Sequence, residues 1–222
     1  SNISVKETLS RLQTAGVDSI PGGGAEILVD RIRDRICRGK ETSKEYLDIH
    51  REAHKLGIPT NCTMLFGTIE SIEDRITHLE LLRELQDETN GFQCFVPYPF
   101  LPDFTRLPEA QLATSNEILR TIAISRLMLD NIPHIKAYRM NIGDSVAQMA
   151  LVSGADDIDG TVGHEEIMHA AGSTTPLDSQ VNDLVQLIED TNQLSVRRNS
   201  IYSKFEIIYR RKDENNALPV LN

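Results

Sequence analysis

The 222 residues, 40% hydrophobic and 25% charged, provide enough chain for a packed core and exclude a disordered or collagen-like polymer. Thirty-three acidic residues against 23 basic ones leave a net charge of -10, which disfavours nucleic acid and anionic membrane as partners, and the longest basic run is Arg210-Arg211-Lys212. No apolar run reaches the roughly 18–20 residues that cross a bilayer, and Cys37, Cys62 and Cys94 stand far apart with no Cys or His at ligand spacing, so they supply neither an iron–sulfur nor a structural zinc site; the reducing cytoplasm is the expected compartment.

Ser1-Asn2 reads as an expression scar ahead of a helical pattern from Val5 to Leu12. Gly16–Ile20 is expected to be a strand, stopped by Pro21-Gly22-Gly23-Gly24. Thr42-x-x-Glu45 is a capping-box signature, and the helix it opens ends at Gly57 with Pro59 beyond. Thr60–Phe66 is a second strand. Ser71-x-x-Asp74 starts the longest helix, with Ile72, Ile76, Leu79, Leu82 and Leu85 on one stripe. Phe92–Val96 is a third strand, followed by a proline-broken loop. Thr114-x-x-Glu117 caps a helix running to about Asp130; Ile135–Ile142 is a fourth strand and Asp157–Val162 a weaker fifth.

Strands separated throughout by helices imply parallel pairing with right-handed crossovers. Gly22-Gly23-Gly24 does not fit GxGxxG, which disfavours a dinucleotide-binding sheet. The expected fold is α/β, a partial (β/α) TIM-type barrel of about five C-terminal units plus terminal helices. Residues 1–222 form a single domain in this reading, with 178–222 as a C-terminal extension.

Chemistry in barrels sits on the loops after the strands. Gly22-Gly23-Gly24-Ala25-Glu26 offers backbone N–H groups to a carboxylate or phosphate, or is simply a tight turn. Thr63-x-Leu65-x-Gly67-x-x-Glu70 allows a ligand close to Gly67, although a carboxylate at Glu70 also suits the start of a helix. Phe95, Pro97, Phe100 and Pro102 form either a pocket wall or a surface brace. Strand alternation would put Tyr138 and Met140 on one side and Arg139 and Asn141 on the other, making Arg139 a candidate carboxylate binder or half of a structural ion pair. Asp156, Asp157 and Asp159 gather at one strand, as acid–base groups or a solvated turn. His50 and His54 share a helical face but miss HExxH, so a surface helix is expected there. His78 and His134 read as helix-surface and loop residues, His169 as the more interesting of the late histidines, and the cysteines as core fillers.

Taken together, DSIPGGGAEIL (18–28), AHKLGIPTNCTMLFGTIES (53–71), HLELLRELQDETNGFQCFVP (78–97), RLMLDNIPHIKAY (126–138), GADDIDGTV (154–162) and HAAGSTTP (169–176) resemble one family. It is the radical S-adenosylmethionine group that contains aminofutalosine synthases, dehypoxanthine futalosine cyclases and the deazaflavin (FO) synthase subunits. The last two segments are most similar to the aminofutalosine synthase branch.

The resemblance implies a radical-SAM barrel with S-adenosylmethionine and a [4Fe–4S] cluster as cofactors, a small-molecule substrate, and a place in menaquinone biosynthesis by the futalosine pathway. The implied reaction adds a 5'-deoxyadenosyl radical to 3-[(1-carboxyvinyl)oxy]benzoate, giving 6-amino-6-deoxyfutalosine. The CxxxCxxC cluster loop is absent, so the chain is expected to be the C-terminal portion of a longer enzyme, inactive alone and prone to self-association through open strand edges. Carried over by position, the resemblance places Gly22, Gly23, Gly24, Glu26, Thr63, Leu65, Gly67 and Glu70 at the cofactor, with Thr63 standing where the family has glycine. Tyr138, Arg139 and Asn141 would bind substrate, and Asp157, Asp159 and His169 would be catalytic. A cyclase, a deazaflavin-synthase relative, or a non-catalytic ligand-binding barrel fragment are the competing readings.

Overall fold

In the computed structural model, which describes residues 3–103 and 105–209, Ser1-Asn2, Arg210-Arg211-Lys212 and the end of the 178–222 extension lie outside the described residues. In chain order the elements are α1 (Val5–Thr14), α2 (Asp30–Ile36), α3 (Ser43–Lys55), β1 (Thr60–Phe66), α4 (Ile72–Thr89), β2 (Phe92–Pro99), α5 (Ser115–Met128) and β3 (His134–Ala137). There follow α6 (Arg139–Ile142), α7 (Asp144–Leu151), β4 (Asp157–Ile158), α8 (Ile167–Ala170), α9 (Val181–Glu189), β5 (Val196–Arg198) and β6 (Phe205–Ile207). The capping signatures act as written. Thr42 and Ser71 each accept from the N–H three residues on, and Glu45 and Asp74 return the bond to the cap N–H. Asn90 then ends α4 in a left-handed conformation.

β1, β2, β3 and β4 form one parallel sheet in that order. A sequential order with right-handed crossovers puts every connecting helix on the same face, which is the winding of a barrel and not of a doubly wound sheet. Cys62, Met64, Phe66, Phe95, Ile135 and Ala137 point to that face and meet Leu79, Leu82, Leu85, Ile118, Ile122 and Ala147 from α4, α5 and α7 in one apolar core. The other face is left with Asn61, Thr63, Leu65, Cys94, Val96, Tyr98, Lys136, Asp157 and Asp159.

Five expectations change. The weaker strand expected over Asp157–Val162 spans only Asp157–Ile158. Gly16–Ile20 makes only an isolated bridge, Ile20 to Thr60, and beyond it the Gly22 carbonyl goes to the Tyr46 and Thr63 hydroxyls and not to a strand ladder. Gly22 then packs so closely that a Cβ there would lie 2.2 Å from the Asn61 carbonyl oxygen. The strand expected to run to Ile142 ends at Ala137, and Arg139–Ile142 is a helical turn. The 178–209 region holds one helix and an antiparallel hairpin, β5–β6, instead of helices alone.

Last, His50 and His78 are buried. A single hydroxyl on Thr60 faces both His50 Nδ1 and His54 Nε2, each at 2.8 Å. Thr89 donates to the Leu85 carbonyl and so accepts from His54 Nδ1 at 2.6 Å, which fixes that ring's tautomer. His78 Nδ1 accepts the Leu28 N–H at 2.9 Å. Helix periodicity had marked these histidines as surface residues; bonding to threonines and backbone is what allows them inside.

Candidate active site

The face of the sheet turned away from the helices is arranged in rows, because paired parallel strands carry neighbouring side chains in the same direction. Asn61, Cys94 and His134 form the row nearest the strand N-termini; Thr63, Val96, Lys136 and Asp157 the next; Leu65, Tyr98, Tyr138 and Asp159 the row at the C-terminal end. The Tyr98 and Tyr138 rings meet edge to face with centroids 5.2 Å apart. Tyr138 also directs its hydroxyl to Glu165 at 3.3 Å, and burial, helped by that carboxylate, pushes its phenol up to about 12.

Beyond β3 the chain turns sharply. Asp159 accepts the Arg139 N–H, as a carboxylate does at the first amides of a helix, and Gly143, at φ +78°, ends the turn. Arg139 is therefore not on a strand face. Its guanidinium is wholly buried, with Nη1 donating to Asp144 at 2.8 Å and to Ser179 at 3.2 Å. Ser173 Oγ donates to the Met140 carbonyl at 2.6 Å and Thr175 Oγ1 to the Arg139 carbonyl at 3.3 Å, which ties the 171–176 segment onto the turn. His169 Nε2 meets the Thr175 carbonyl at 2.9 Å. A carbonyl only accepts, so Nε2 carries the proton and Nδ1 keeps its lone pair for another group.

Within this turn three buried polar atoms have no partner among the described residues: Arg139 Nε, Asn141 Oδ1 and Asp159 Oδ2. Arg139 Nε lies 3.7 Å from Asp159 Oδ2, too long for a hydrogen bond. Burial raises the Asp159 carboxyl above its ordinary value even though Arg139 opposes that shift. An unmade hydrogen bond on a buried group is costly, so such a cluster is a place where a ligand's polar atoms gain most. Alongside, Pro99, Leu101, Ala113, Ile142, Val146 and the 171–175 segment line an apolar cleft of about 290 Å³.

The β1 end carries the other candidates. Thr63 donates to the Gly22 carbonyl at 2.8 Å, so its hydroxyl is already used, and Leu65 is half-buried in the outer row. Gly67 has φ +88°. Glu70 accepts from the N–H groups of Gly67 and Thr68, the Thr68 hydroxyl and Arg75, which shapes the loop from within instead of facing a ligand. In the glycine turn Tyr46 also donates to the Gly22 carbonyl, and Arg33 to the Gly24 and Ala25 carbonyls. The Gly23 and Gly24 N–H groups donate to nothing among the described residues. Glu26 leaves the site to pair with Lys40 at 2.6 Å.

The aspartate cluster divides between the two ends. Asp156 accepts from Arg126, His134 and the Ile135 N–H, while Asp157, one row below Asp159, accepts from Arg198 at 2.7 and 2.9 Å and from Tyr202 at 2.7 Å. Asp157 is thus placed away from His169 and Asp159, bound to the hairpin. Tyr98, Lys136 and Glu165 join the site without having been singled out. The alternation in FQCFVPY and HIKAY carried the signal for the first two.

A family model described as the CofH/MqnC C-terminal region matches residues 89–209. The aminodeoxyfutalosine synthase of Thermus thermophilus is 43% identical over 206 residues, covering 91% of this chain and 55% of its own. Its namesake from Streptomyces coelicolor is 41% identical, with 91% and 55% covered. The 5-amino-6-(D-ribitylamino)uracil–L-tyrosine 4-hydroxyphenyl transferase of Methanothermobacter thermautotrophicus is 38% identical, with 92% and 57% covered. The chain spans about half the length of the curated relatives it matches. The crystal structure of methylornithine synthase (PylB) superposes with a TM-score of 0.60 at 17% identity, over 84% of this chain and 54% of that one, a likeness of fold alone. With more than half of its residues inside that family model, the chain belongs to the CofH/MqnC C-terminal region family.

Proposed function

We propose that the whole protein is a radical S-adenosylmethionine enzyme of the aminodeoxyfutalosine synthase type, acting on 3-[(1-carboxyvinyl)oxy]benzoate in the cytoplasm. The observation that carries this is the 43% identity to such a synthase across 91% of the chain, together with unpartnered polar atoms at the strand ends where barrel enzymes hold their substrates.

The residues present suit the nucleoside cofactor and do not suit the cluster. The undonated N–H groups of Gly23 and Gly24 would receive a carboxylate, while Leu65 and the backbone at Gly67 offer an apolar edge and close approach to a base. Cys62 and Cys94 are buried in the sheet and Cys37 sits on α2's end, so the cluster is held elsewhere in the whole protein. When bound, the cofactor supplies the deoxyadenosyl radical that the synthase reaction needs.

This chain's part is to bind, orient and exclude water. Asp159 Oδ2 and Asn141 Oδ1 accept hydrogen bonds from the hydroxyl or amino groups of the nucleoside cofactor, since the enol-ether benzoate carries no O–H or N–H, His169 Nδ1 accepts a hydrogen bond, and Tyr98 and Tyr138 offer their ring faces to an aromatic ring. Arg139 positions this turn from inside and does not itself reach a substrate carboxylate.

The test is product analysis by mass spectrometry. The full-length protein, reconstituted anaerobically, receives S-adenosylmethionine, dithionite and the enol-ether benzoate. An adenosyl adduct of the benzoate is the expected product. 5'-Deoxyadenosine alone would redirect the reading to the cyclase type, of which the cyclic dehypoxanthine futalosine synthase of Streptomyces coelicolor is 38% identical to this chain. No product from a cluster-loaded protein would end it.

A further inference from the structure

We propose that Lys136 is the anion anchor of this site, taking the ring carboxylate of an aryl carboxylate substrate from beneath the Tyr98–Tyr138 pair. The inference rests on the reading above for the identity of that substrate, and on the following geometry for the residue.

Lys136 is in the middle row of the open face, opposite Asp157 in the register of β3 and β4. Three cations and two buried carboxylates meet there. Asp157 takes two hydrogen bonds from Arg198 and one from Tyr202, and its contact with Lys136 is the longest of the set, at 3.3 Å. Burial alone would raise Asp157, but Arg198 and Lys136 outweigh it and its carboxyl is held below the ordinary value. Asp159 is served by the Arg139 N–H and lies beside that guanidinium. Arg198 thus serves Asp157, the Arg139 guanidinium is committed to Asp144, and Lys136 is held only by its single longer contact with Asp157. Glu165 is the next acidic group on this side, already holding the Met168 N–H and the Tyr138 hydroxyl.

Exposure separates the two cations that could meet a ligand. The Arg139 side chain is 0% exposed and Lys136 is 17% exposed. An ammonium has three N–H donors, and only one is spoken for. Successive rows are two residues, or roughly 6.6 Å, apart along the strand, within the reach of an extended lysine, so Nζ can stand directly below the tyrosine pair. A benzoate ring would then lie against the tyrosines with its carboxylate directed inward to Nζ. The acceptor atoms of Asp159 and Asn141 remain for donor groups of the nucleoside cofactor, since the enol-ether benzoate has none. In a chain of net charge -10, a partly exposed ammonium with donors to spare beside a tyrosine pair is a selective place for an anion.

The experiment measures equilibrium binding of 3-[(1-carboxyvinyl)oxy]benzoate and of its ring carboxamide to the full-length protein, wild type and Lys136→Met and Lys136→Arg variants. The wild type should prefer the carboxylate by ~30-fold, of the size expected for a charge-assisted contact. Lys136→Met should bind both compounds alike, and Lys136→Arg should restore most of the preference. Equal binding of the two compounds by wild type, or a preference that survives Lys136→Met, overturns the proposal. If Lys136→Met folds poorly, Lys136→Gln takes its place: it keeps a polar side chain without the charge, and a carboxylate preference that survives it overturns the proposal. The product assay run in parallel separates the two claims. A missing adduct with the Lys136-dependent preference intact defeats the reaction and keeps the anion site. An adduct formed with no such preference does the reverse.

Discussion

Asp157 opens the short strand β4 and Asp159 lies just past its end; the two have opposite surroundings. Asp157, at the N-terminal end, receives Arg198, Lys136 and Tyr202, and the Tyr202 ring stacks on His134 at 4.4 Å. Around it Asp156 is bonded by Arg126 and His134, and His54 by two threonines. Asp159, toward the C-terminal end, keeps one oxygen without a partner among the described residues, as do Arg139 Nε and Asn141 Oδ1 beside it. Buried polar groups in a folded chain are satisfied as a rule, and away from the mouth His78 Nε2 and Asn131 Oδ1 are isolated exceptions among the described residues, whereas the three at the mouth are clustered. The saturated end therefore reads as the closure of the barrel floor and the unsaturated end as the site.

The sharpest attack on that division is at the floor. A Cβ on Gly91 would fall 2.1 Å from His54 Cγ, so Gly91→Ala must displace the ring and break its bonds to Thr60 and Thr89. We expect a loss of ~3 kcal/mol in urea unfolding; a loss below ~1 kcal/mol would mean that the floor is looser than its hydrogen bonds imply. The mirror experiment is at the mouth. Asp159→Asn in the full-length protein should lower kcat/KM by ~100-fold, or about 2.7 kcal/mol, with a melting temperature close to wild type. A large stability loss with unchanged kinetics would move Asp159 to the structural side of the comparison.

Much of this was legible in the sequence, and the failures have physical causes. Thr42, Ser71 and Thr114 announced their helices because caps are local. The βα alternation announced a barrel, since it specifies parallel pairing. The end of β3 was not legible: IKAYRMNI carries strand propensity throughout, and what bends it at Tyr138 is a hydrogen bond from Arg139 N–H to a carboxylate 20 residues away. The same reason hid the partition of the aspartates, because only the hairpin after residue 195 shows where Asp157 is held. Lys136 was concealed by Asp157, its cross-strand neighbour, whose role cannot be read without the register.

Acid should dissolve the floor before the mouth. Burial lowers His50 to about 3 and His54 to about 4, and His78, among the core residues, to about 3. Each folded-state value lies below the unfolded 6.5, so the unfolded chain binds more protons and stability falls as pH drops from 6.5 toward those values. For His50 alone the loss between pH 7 and pH 5 is about 2 kcal/mol. Urea unfolding at the two pH values measures it, and a flat profile across that range would mean that the rings are protonated in the fold.

The smallest effect is the most discriminating. Tyr202→Phe removes one hydroxyl bond to Asp157 and leaves Arg198, the stacked ring on His134 and the hairpin in place. Its cost should be about 1 kcal/mol of stability. At the floor that is all it should do: Asp157 keeps its two bonds from Arg198, and Lys136 gains no new partner. If Tyr202→Phe instead changed substrate affinity as strongly as Lys136→Met, the two ends of the sheet would be one electrostatic unit, with Asp157 tuning the ammonium from below. Parallel melting and binding curves on this one variant thus decide whether the closed floor only supports the site or also sets its charge.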